Sequence, residues 1–264
     1  MNSGWSRGYV VLAGTFILAP LLVVVAVAFT SASFVSFPPP GWSLRWLAKV
    51  LADPAFMRPL GNSLVLAALA ASGAALLAVP AALALARGGF RGAAEIESFL
   101  LSPLSLPALI LSLSLLFFLA RIGLGGQPIG LWIGHVVVTI PYMLRTVLAT
   151  YRGVDRSAEE AAMTLGATPL RVFLHVTLPM IRPGILAGGL FAFLVSFDEV
   201  AIALLLSTMR TATLPVAILN HIAHNYDPAV AAISLINIAL VTVAMLALEF
   251  GFGLDRLMLS RGRK

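Results

Sequence analysis

The sequence has no cysteine and few charged residues. Without cysteine, it can form no disulfide and offers no thiolate to a metal or a substrate. Only 11% of its 264 residues are charged, whereas a soluble domain usually carries about 25%. With 60% hydrophobic residues and a mean hydropathy of +1.00, the chain has too little polar surface to cover itself in water. We therefore predict a protein surrounded by membrane lipid.

Further absences narrow the function. No phosphate-binding loop of the Gly-x-x-x-x-Gly-Lys-Ser/Thr type occurs, so we expect this chain to hold no cofactor and to hydrolyse no ATP. A net charge of +6 could suit nucleic acid, but the basic residues lie at the ends of apolar runs, where they set membrane topology. We therefore expect no nucleic-acid partner. His221 and His224 have a spacing that can bind zinc, but we expect no acidic or cysteine partner nearby and no metal site.

Six apolar stretches are long enough to cross a hydrocarbon core of about 30 Å as helices. They are roughly residues 8–30, 60–86, 98–120, 130–149, 184–207 and 229–252. Continuous apolar runs without alternation exclude a barrel, and we read Pro103 and Pro107 in the third run as kinks. The first run is longer than a signal-peptide core of about 7–15 residues, which favours an uncleaved anchor. We predict an all-α membrane protein of about six transmembrane helices, with one domain over residues 1–264.

The basic residues predict the orientation. If both termini are cytoplasmic, twelve of the 17 Lys and Arg residues fall in inner segments. The other five fall in the outer segments 31–59, 121–129 and 208–228. Because cytoplasmic loops carry the excess of Lys and Arg, we predict that both termini are cytoplasmic. The same topology puts a long polar loop, residues 150–183, on the cytoplasmic side.

This loop predicts two short helices joined by a rigid corner. Ser157 and Glu160 fit a capping box at the start of the first helix, and Gly166 fits the left-handed position that ends it. Thr168-Pro169 would cap and begin the second helix, which would end before Pro179. On these signals alone, the loop is either a connector between spans or a knob that fits a groove on a soluble partner.

The order of residues in the loop resembles a known family. Glu160-Ala161-Ala162, three residues, Gly166, nine residues and then Val176-x-Leu178-Pro179 closely resemble the EAA loop of permeases in binding-protein-dependent ABC importers. That family has isoleucine where this chain has Val176, which is a conservative change. The resemblance extends from about Asn62-Ser63 to the end of the sixth span.

The resemblance implies a fold, a location and a set of partners. It implies the permease fold of type I ABC importers in a bacterial inner membrane, with a second permease subunit, two ATP-binding subunits that use the ATP, and an external solute-binding protein. The loop would sit in a cleft of the ATPase. The residues implied for coupling are Glu160, Ala161, Ala162, Gly166, Pro169, Leu178 and Pro179.

A second feature is the string Ser196-Phe197-Asp198-Glu199 in the fifth apolar run. Acids in hydrocarbon cost a few kcal/mol each on insertion scales, so they indicate a cavity or a partner. Such acids could line a path for organic cations, with Phe197 adding cation–π attraction, or they could pair with groups of another helix or subunit. The residues alone leave both readings open.

The string Ser196-Phe197-Asp198-Glu199-Val200, with Thr213-Leu214-Pro215, resembles the spermidine/putrescine permease branch of the family. That resemblance implies uptake of polyamine-like cations. Two alternatives remain: a secondary transporter with ion sites at Asp198 and Glu199, and an intramembrane enzyme that uses the two acids. The fifth apolar run also contains Gly184, Gly188 and Gly189, which predict a seam of small residues for helix packing.

Overall fold

The computed structural model describes residues 3–87 and 90–252, and the described chain is a succession of helices. The helices are α1 (Ser3–Ala28), α2 (Arg45–Ala52), α3 (Pro54–Arg87), α4 (Ala93–Leu101), α5 (Ala108–Arg121), α6 (Pro128–Arg152), α7 (Ser157–Thr164), α8 (Pro169–Val172), α9 (Leu178–Phe197), α10 (Ala201–Leu206), α11 (Leu214–His224) and α12 (Ala229–Phe252). A 3-10 turn, Ser102–Ser105, follows α4, and a π-helical turn, Phe173–Thr177, joins α8 to α9. Residues 253–264, which hold four of the basic residues used to predict orientation, lie outside the described residues.

Among the described residues, five helices are long and apolar enough to cross a membrane. They are Gly8–Ala28, Pro54–Arg87, Pro128–Arg152, Pro169–Phe197 and Ala229–Leu246. A sixth span results if α4 and α5 are counted as one bent unit. The observed helices therefore agree with the expectation of about six spans, but two of the predicted stretches differ in form.

The third predicted span, 98–120, is broken rather than kinked. Its two halves, Ala93–Ser105 and Ala108–Arg121, meet at 109°. Leu106 is extended, with φ −92° and ψ 139°, because a following proline disfavours helical backbone. Pro107 has no N–H to continue the helix, and its carbonyl instead accepts the first hydrogen bonds of α5, from Ile110 and Leu111.

The fifth predicted span, 184–207, was placed too late in the chain. Helical structure runs without a break from Pro169 to Phe197, so the second short helix of the loop does not end before Pro179. A π-helical turn changes the hydrogen-bond register just before Pro179, where the proline has no donor to offer. The loop helix and the span are therefore one continuous element.

The described residues divide into two compact units, one within residues 1–60 and 216–244 and the other within 61–215 and 245–264. In the first unit, the segment after α1 folds back through an isolated antiparallel bridge between Thr30 and Trp42. The Ala32 carbonyl accepts hydrogen bonds from Arg45 Nη2 and Trp46 Nε1, both at 2.9 Å. These bonds hold the start of α2 against the segment that follows α1.

The second unit is centred on α6 and α9. Its core includes Met143, Leu144 and Val147 of α6 and Ile181 of α9, and small residues of α3 pack against them. Gly184 and Gly188 lie directly against α6, in agreement with the predicted seam of small residues. A Cβ at Gly188 would overlap Thr146 Oγ1 and stand 2.8 Å from Met143 Sδ, whereas one at Gly189 would make an ordinary contact. The absence of side chains at Gly184 and Gly188 therefore lets the two helices approach closely.

This close approach predicts the effect of a single methyl group. Gly188→Ala should lower the stability of the purified protein by about 1–3 kcal/mol, because Thr146 and Met143 must move to admit it. Gly61→Ala is the matched control, since a Cβ there meets nothing within 4 Å. Thermal unfolding of both variants in the same detergent measures the difference. Equal melting temperatures for the two variants would show that the seam is not tightly packed.

Candidate functional site

The loop after α6 begins with an Asp-based turn rather than the predicted capping box. Asp155 Oδ1 accepts a hydrogen bond from the Ser157 backbone N–H at 3.0 Å, and this bond lowers the pKa of the Asp155 carboxyl. Ser157 is the first residue of α7, and Arg156 holds the N-cap position with no side-chain cap. The prediction of Ser157 as N-cap with Glu160 was wrong, because Asp155 supplies a nearer carboxylate acceptor.

The corner between the two loop helices is the predicted one. Gly166 has φ +85°, and its N–H donates to the Met163 carbonyl at 2.9 Å. The next N–H, from Ala167, donates to the Ala162 carbonyl at 3.0 Å, which completes a Schellman motif. Thr168 then accepts a bond from Arg171 N as the N-cap of α8, and Pro169 is its first helical residue. Both sequence predictions for this corner are confirmed.

The outer surface of the loop is partly apolar. Leu165 is 88% exposed and Leu170 is 67% exposed, and Met163 is also exposed. Glu160, Ala161, Pro169 and Pro179 are exposed as well, whereas Ala162 and Leu178 are partly covered. Large apolar side chains exposed together on a polar loop are typical of a protein-binding surface.

The inner side of the loop is held by a buried carboxylate that sequence reasoning missed. Glu159 is buried, and the Tyr151 hydroxyl lies 3.0 Å from both of its carboxylate oxygens. Thr177 donates a further hydrogen bond to Glu159 Oε1, and Arg87 Nη2 lies 3.9 Å from Oε2. The pair Glu159-Glu160 could have indicated this burial from the sequence. Neighbouring helix positions are about 100° apart, so two consecutive acids on a short helix face different surroundings.

Two arginines tie the loop to neighbouring helices. Arg156 Nη2 donates to the Ala86 carbonyl at the end of α3, at 2.8 Å. Arg152, at the end of α6, pairs with Glu97 of α4 at 2.7 Å. A cleft of about 540 Å³ opens between α3 and the loop, and Arg87, Arg156 and Glu160 are among its lining residues. The loop is therefore anchored on one side and open on the other.

The second candidate site is a break in the helix, not the interior of a span. α9 ends at Phe197, with Asp198 at its C-cap, and α10 begins at Ala201. Glu199 Oε1 accepts hydrogen bonds from Ala201 N at 2.9 Å and Ile202 N at 3.1 Å. Glu199 therefore caps α10, and this local role compensates its carboxylate.

The four residues of the predicted substrate path have different environments. Phe197 is 1% exposed and stacks on Phe193 with ring centroids 5.9 Å apart, so it packs within the chain. Ser196 is buried, and its hydroxyl lies 2.8 Å from His135 Nδ1. Of the four, only Asp198 is exposed. His135 was missed from the sequence, although a histidine inside an apolar run is itself a signal that a polar partner is near.

The histidines after α10 do not form a metal site with each other. His221 Nε2 pairs with Asp227 Oδ1 at 2.8 Å, and Lys49 Nζ lies 3.2 Å from Asp227 Oδ2, so the expected lack of an acidic partner was wrong. Partial burial would raise the pKa of Asp227, but hydrogen bonds from His221 and Lys49 outweigh it and leave that pKa lowered. No group of three possible metal ligands occurs among the side chains that the structure describes.

Comparison with known proteins identifies the family. Residues 74–250 match the family described as the inner membrane component of binding-protein-dependent transport systems. The chain belongs to this family. The same residues hold the EAA-like pattern, so the resemblance drawn from that pattern is confirmed. The family comprises transport components rather than enzymes, which disfavours the intramembrane-enzyme alternative.

This permease is similar to transport proteins of known name. It is 39% identical over 241 residues to the putrescine transport system permease protein PotI of Escherichia coli K12, covering 89% of this chain and 85% of that protein. It is 24% identical to the spermidine/putrescine transport system permease protein PotC of the same strain, covering 91% and 90%. The resemblance to the spermidine/putrescine branch is thus confirmed.

The fold is also found in solved structures. A chain of a bacterial ABC transporter involved in the import of the acidic polysaccharide alginate matches with a TM-score of 0.70 at 18% identity, over 94% of this chain and 96% of that one. At this identity the match concerns the fold alone. It confirms the all-α permease fold of ABC importers with about six spans.

The Schellman corner predicts a sharp dependence on residue 166. Gly166→Val should lower solute uptake while leaving the permease in the membrane, because a β-branched residue at φ +85° is strained by about 1–3 kcal/mol and would change the angle between α7 and α8. Gly166→Asn is the matched control, since asparagine tolerates the left-handed region and should retain most uptake. Uptake in membrane vesicles at equal protein level measures both. Equal uptake by the valine and asparagine variants would contradict the importance of this corner.

Proposed function

We propose that this permease is one membrane-spanning subunit of an ATP-driven importer of polyamine-like organic cations. The observation that carries the proposal is the loop at 157–179, which is rigidly cornered, anchored on its inner side and apolar on its exposed side. The permease would be paired with a second permease subunit, two ATP-binding subunits and an external solute-binding protein, and lipid would surround the pathway.

The exposed face of the loop supports docking on a soluble partner. Leu165 and Leu170 stand exposed on either side of the Gly166 corner, close in the chain to the motif residues Glu160-Ala161-Ala162. Such a surface suits a cleft on the ATP-binding subunit, which would lie on the cytoplasmic side. The excess of Lys and Arg in the segments on that side supports both this placement and cytoplasmic termini.

The mechanism follows from the continuity of the loop with a span. The helical run from Pro169 to Phe197 connects the docking surface directly to the membrane. When the ATP-binding subunits close, they would displace the loop, and α9 would tilt with it. α6 would move with α9, because the glycine seam packs these two helices tightly. The cavity would then open alternately to each side.

The choice of cationic solutes rests on two supports. The relatives PotI and PotC are named for putrescine and spermidine. In this chain, Asp198 lies exposed at a helix break, and its neighbour Glu199 is engaged in capping α10. An exposed carboxylate attracts ammonium groups, and we assign the contact with the solute to Asp198 rather than to Ser196, Phe197 or Glu199.

The absence of natural cysteine allows a direct test of docking. A single cysteine introduced by Ala161→Cys should crosslink to the ATP-binding subunit in the intact complex, because Ala161 is exposed on the docking face. Met209→Cys is the control: the side chain is fully exposed but lies in a predicted outer segment, so it should not crosslink to that subunit. Crosslinks from both positions, or from neither, would refute the proposed coupling.

Replacing Asp198 tests the path of the solute. Asp198→Asn keeps the shape but removes the charge, so the apparent affinity for putrescine in transport should fall roughly tenfold, the scale of one charge-assisted hydrogen bond. Glu199→Gln, made in parallel, keeps an oxygen to cap α10 and should have a smaller effect. Uptake is measured per assembled complex. If Asp198→Asn lowers only the yield of complex, the carboxylate is a structural partner and the assignment to the solute path is wrong.

A further inference from the structure

Two consecutive glutamates in the loop have opposite surroundings. Glu160, the acid of the family motif, is exposed, whereas Glu159 is only 5% exposed. Among the side chains that the structure describes, Glu159 is the only buried carboxylate. A buried acid is costly unless hydrogen bonds or charges compensate it, so its contacts indicate what it is for.

The contacts of Glu159 come from three other segments of the chain. The Tyr151 hydroxyl, from the last turn of α6, lies 3.0 Å from both carboxylate oxygens and can donate its proton to either. The Thr177 hydroxyl, from the π-helical turn that leads into α9, donates to Oε1. Arg87, at the end of α3, donates from Nε to the Tyr151 hydroxyl at 3.4 Å and places Nη2 3.9 Å from Oε2.

We propose that Glu159 is the joint that transmits movement of the docked loop to α6 and α9. This inference rests on the proposed function, because it presumes that an ATP-binding subunit moves the loop. Glu159 is a positioning residue in this role: it touches neither ATP nor solute. Docking and transmission are thereby divided between neighbouring acids, with Glu160 facing outward and Glu159 facing inward on the same short helix.

The geometry of these hydrogen bonds suits transmission of movement better than a nonspecific packing contact would. Hydrogen bonds are directional, so a displacement of α7 pulls on the Tyr151 and Thr177 hydroxyls rather than sliding past them. Those two residues sit where α6 ends and where α9 is about to begin, and the glycine seam fixes α6 and α9 to each other further along. If the carboxylate is removed, both hydroxyls lose their acceptor in a buried environment, and the loop can move without the two helices.

The experiment measures solute imported per ATP hydrolysed. The full complex, with ATP-binding subunits and solute-binding protein, is reconstituted in liposomes with putrescine as the solute. Glu159→Leu, which removes both acceptor oxygens, Tyr151→Phe and Thr177→Val should each lower this ratio by about fivefold or more, while the ATP-binding subunit copurifies as with the unaltered chain. Glu95→Gln and Tyr9→Phe are the controls, since they remove an exposed carboxylate and an exposed hydroxyl elsewhere and should leave the ratio unchanged.

Two comparisons separate transmission from simple stabilisation. Thr177→Ser keeps the hydroxyl and should give the ratio of the unaltered chain. Thr177→Val keeps the volume of threonine but lacks the hydroxyl, so it should give the lower ratio. Glu159→Leu combined with Tyr151→Phe should lower the ratio no further than Glu159→Leu alone, because the Glu159 change already removes the acceptor of the Tyr151 hydroxyl. An unchanged ratio in assembled variants would overturn the proposal. So would a reduced yield of complex with a normal ratio, or a failure of all the variants to assemble, because the cluster would then serve folding only.

The outcome for the joint can be told apart from the outcome for the proposed function. If the cysteine at position 161 does not reach an ATP-binding subunit in the unaltered complex, the proposed coupling itself is wrong. If that crosslink forms and the three variants keep a normal ratio of solute to ATP, only the role of Glu159 is wrong.

Discussion

The constraint on which this structure depends is that backbone groups in lipid must be satisfied within the chain. Helices meet that requirement, and at two departures from a helix a local acceptor starts the next one. The Pro107 carbonyl starts α5 after the sharp bend, and the Glu199 carboxylate starts α10 after the end of α9. The π-helical turn before Pro179 allows the loop to continue into a span where a proline would otherwise end the helix. The proposed coupling to an ATP-binding subunit would use this continuity from loop to span.

Polar side chains within this apolar protein divide into those that serve the chain and those left for other molecules. Glu199 and Ser196 are engaged by α10 and His135, and Glu159 is engaged by Tyr151 and Thr177. Asp198, next to Glu199, and Glu160, next to Glu159, are exposed. In both places, an acid that stabilises the fold neighbours an acid that remains open to a ligand or partner. A residue string therefore does not reveal which acid is functional, because neighbouring positions face different surroundings.

The family membership of this permease fixes its class of function more firmly than its solute. The match over residues 74–250 covers both the loop and the helix break, and identity to PotI is 39%. The solved alginate importer shares the fold at 18% identity, so one scaffold serves proteins with quite different solutes. We therefore attribute the proposed discrimination among solutes to a few side chains, Asp198 first among them, rather than to the fold.

The sequence by itself determined that the chain is helical and membrane-bound, because hydropathy shows the long apolar runs directly. It also determined where the corner at Gly166 lies, because a positive-φ glycine and an N-capping threonine act over a few residues. From the sequence, the start of the fifth span was predicted too late and the third span was predicted as continuous. Both errors concern proline, whose effect on a helix depends on the hydrogen bonds around it. Only the tertiary structure decided that Glu159 is buried and that Ser196 faces His135. Thr177 lies 18 positions from Glu159, and His135 lies 61 positions from Ser196. Contacts at such separations are made by packing, which local sequence does not encode.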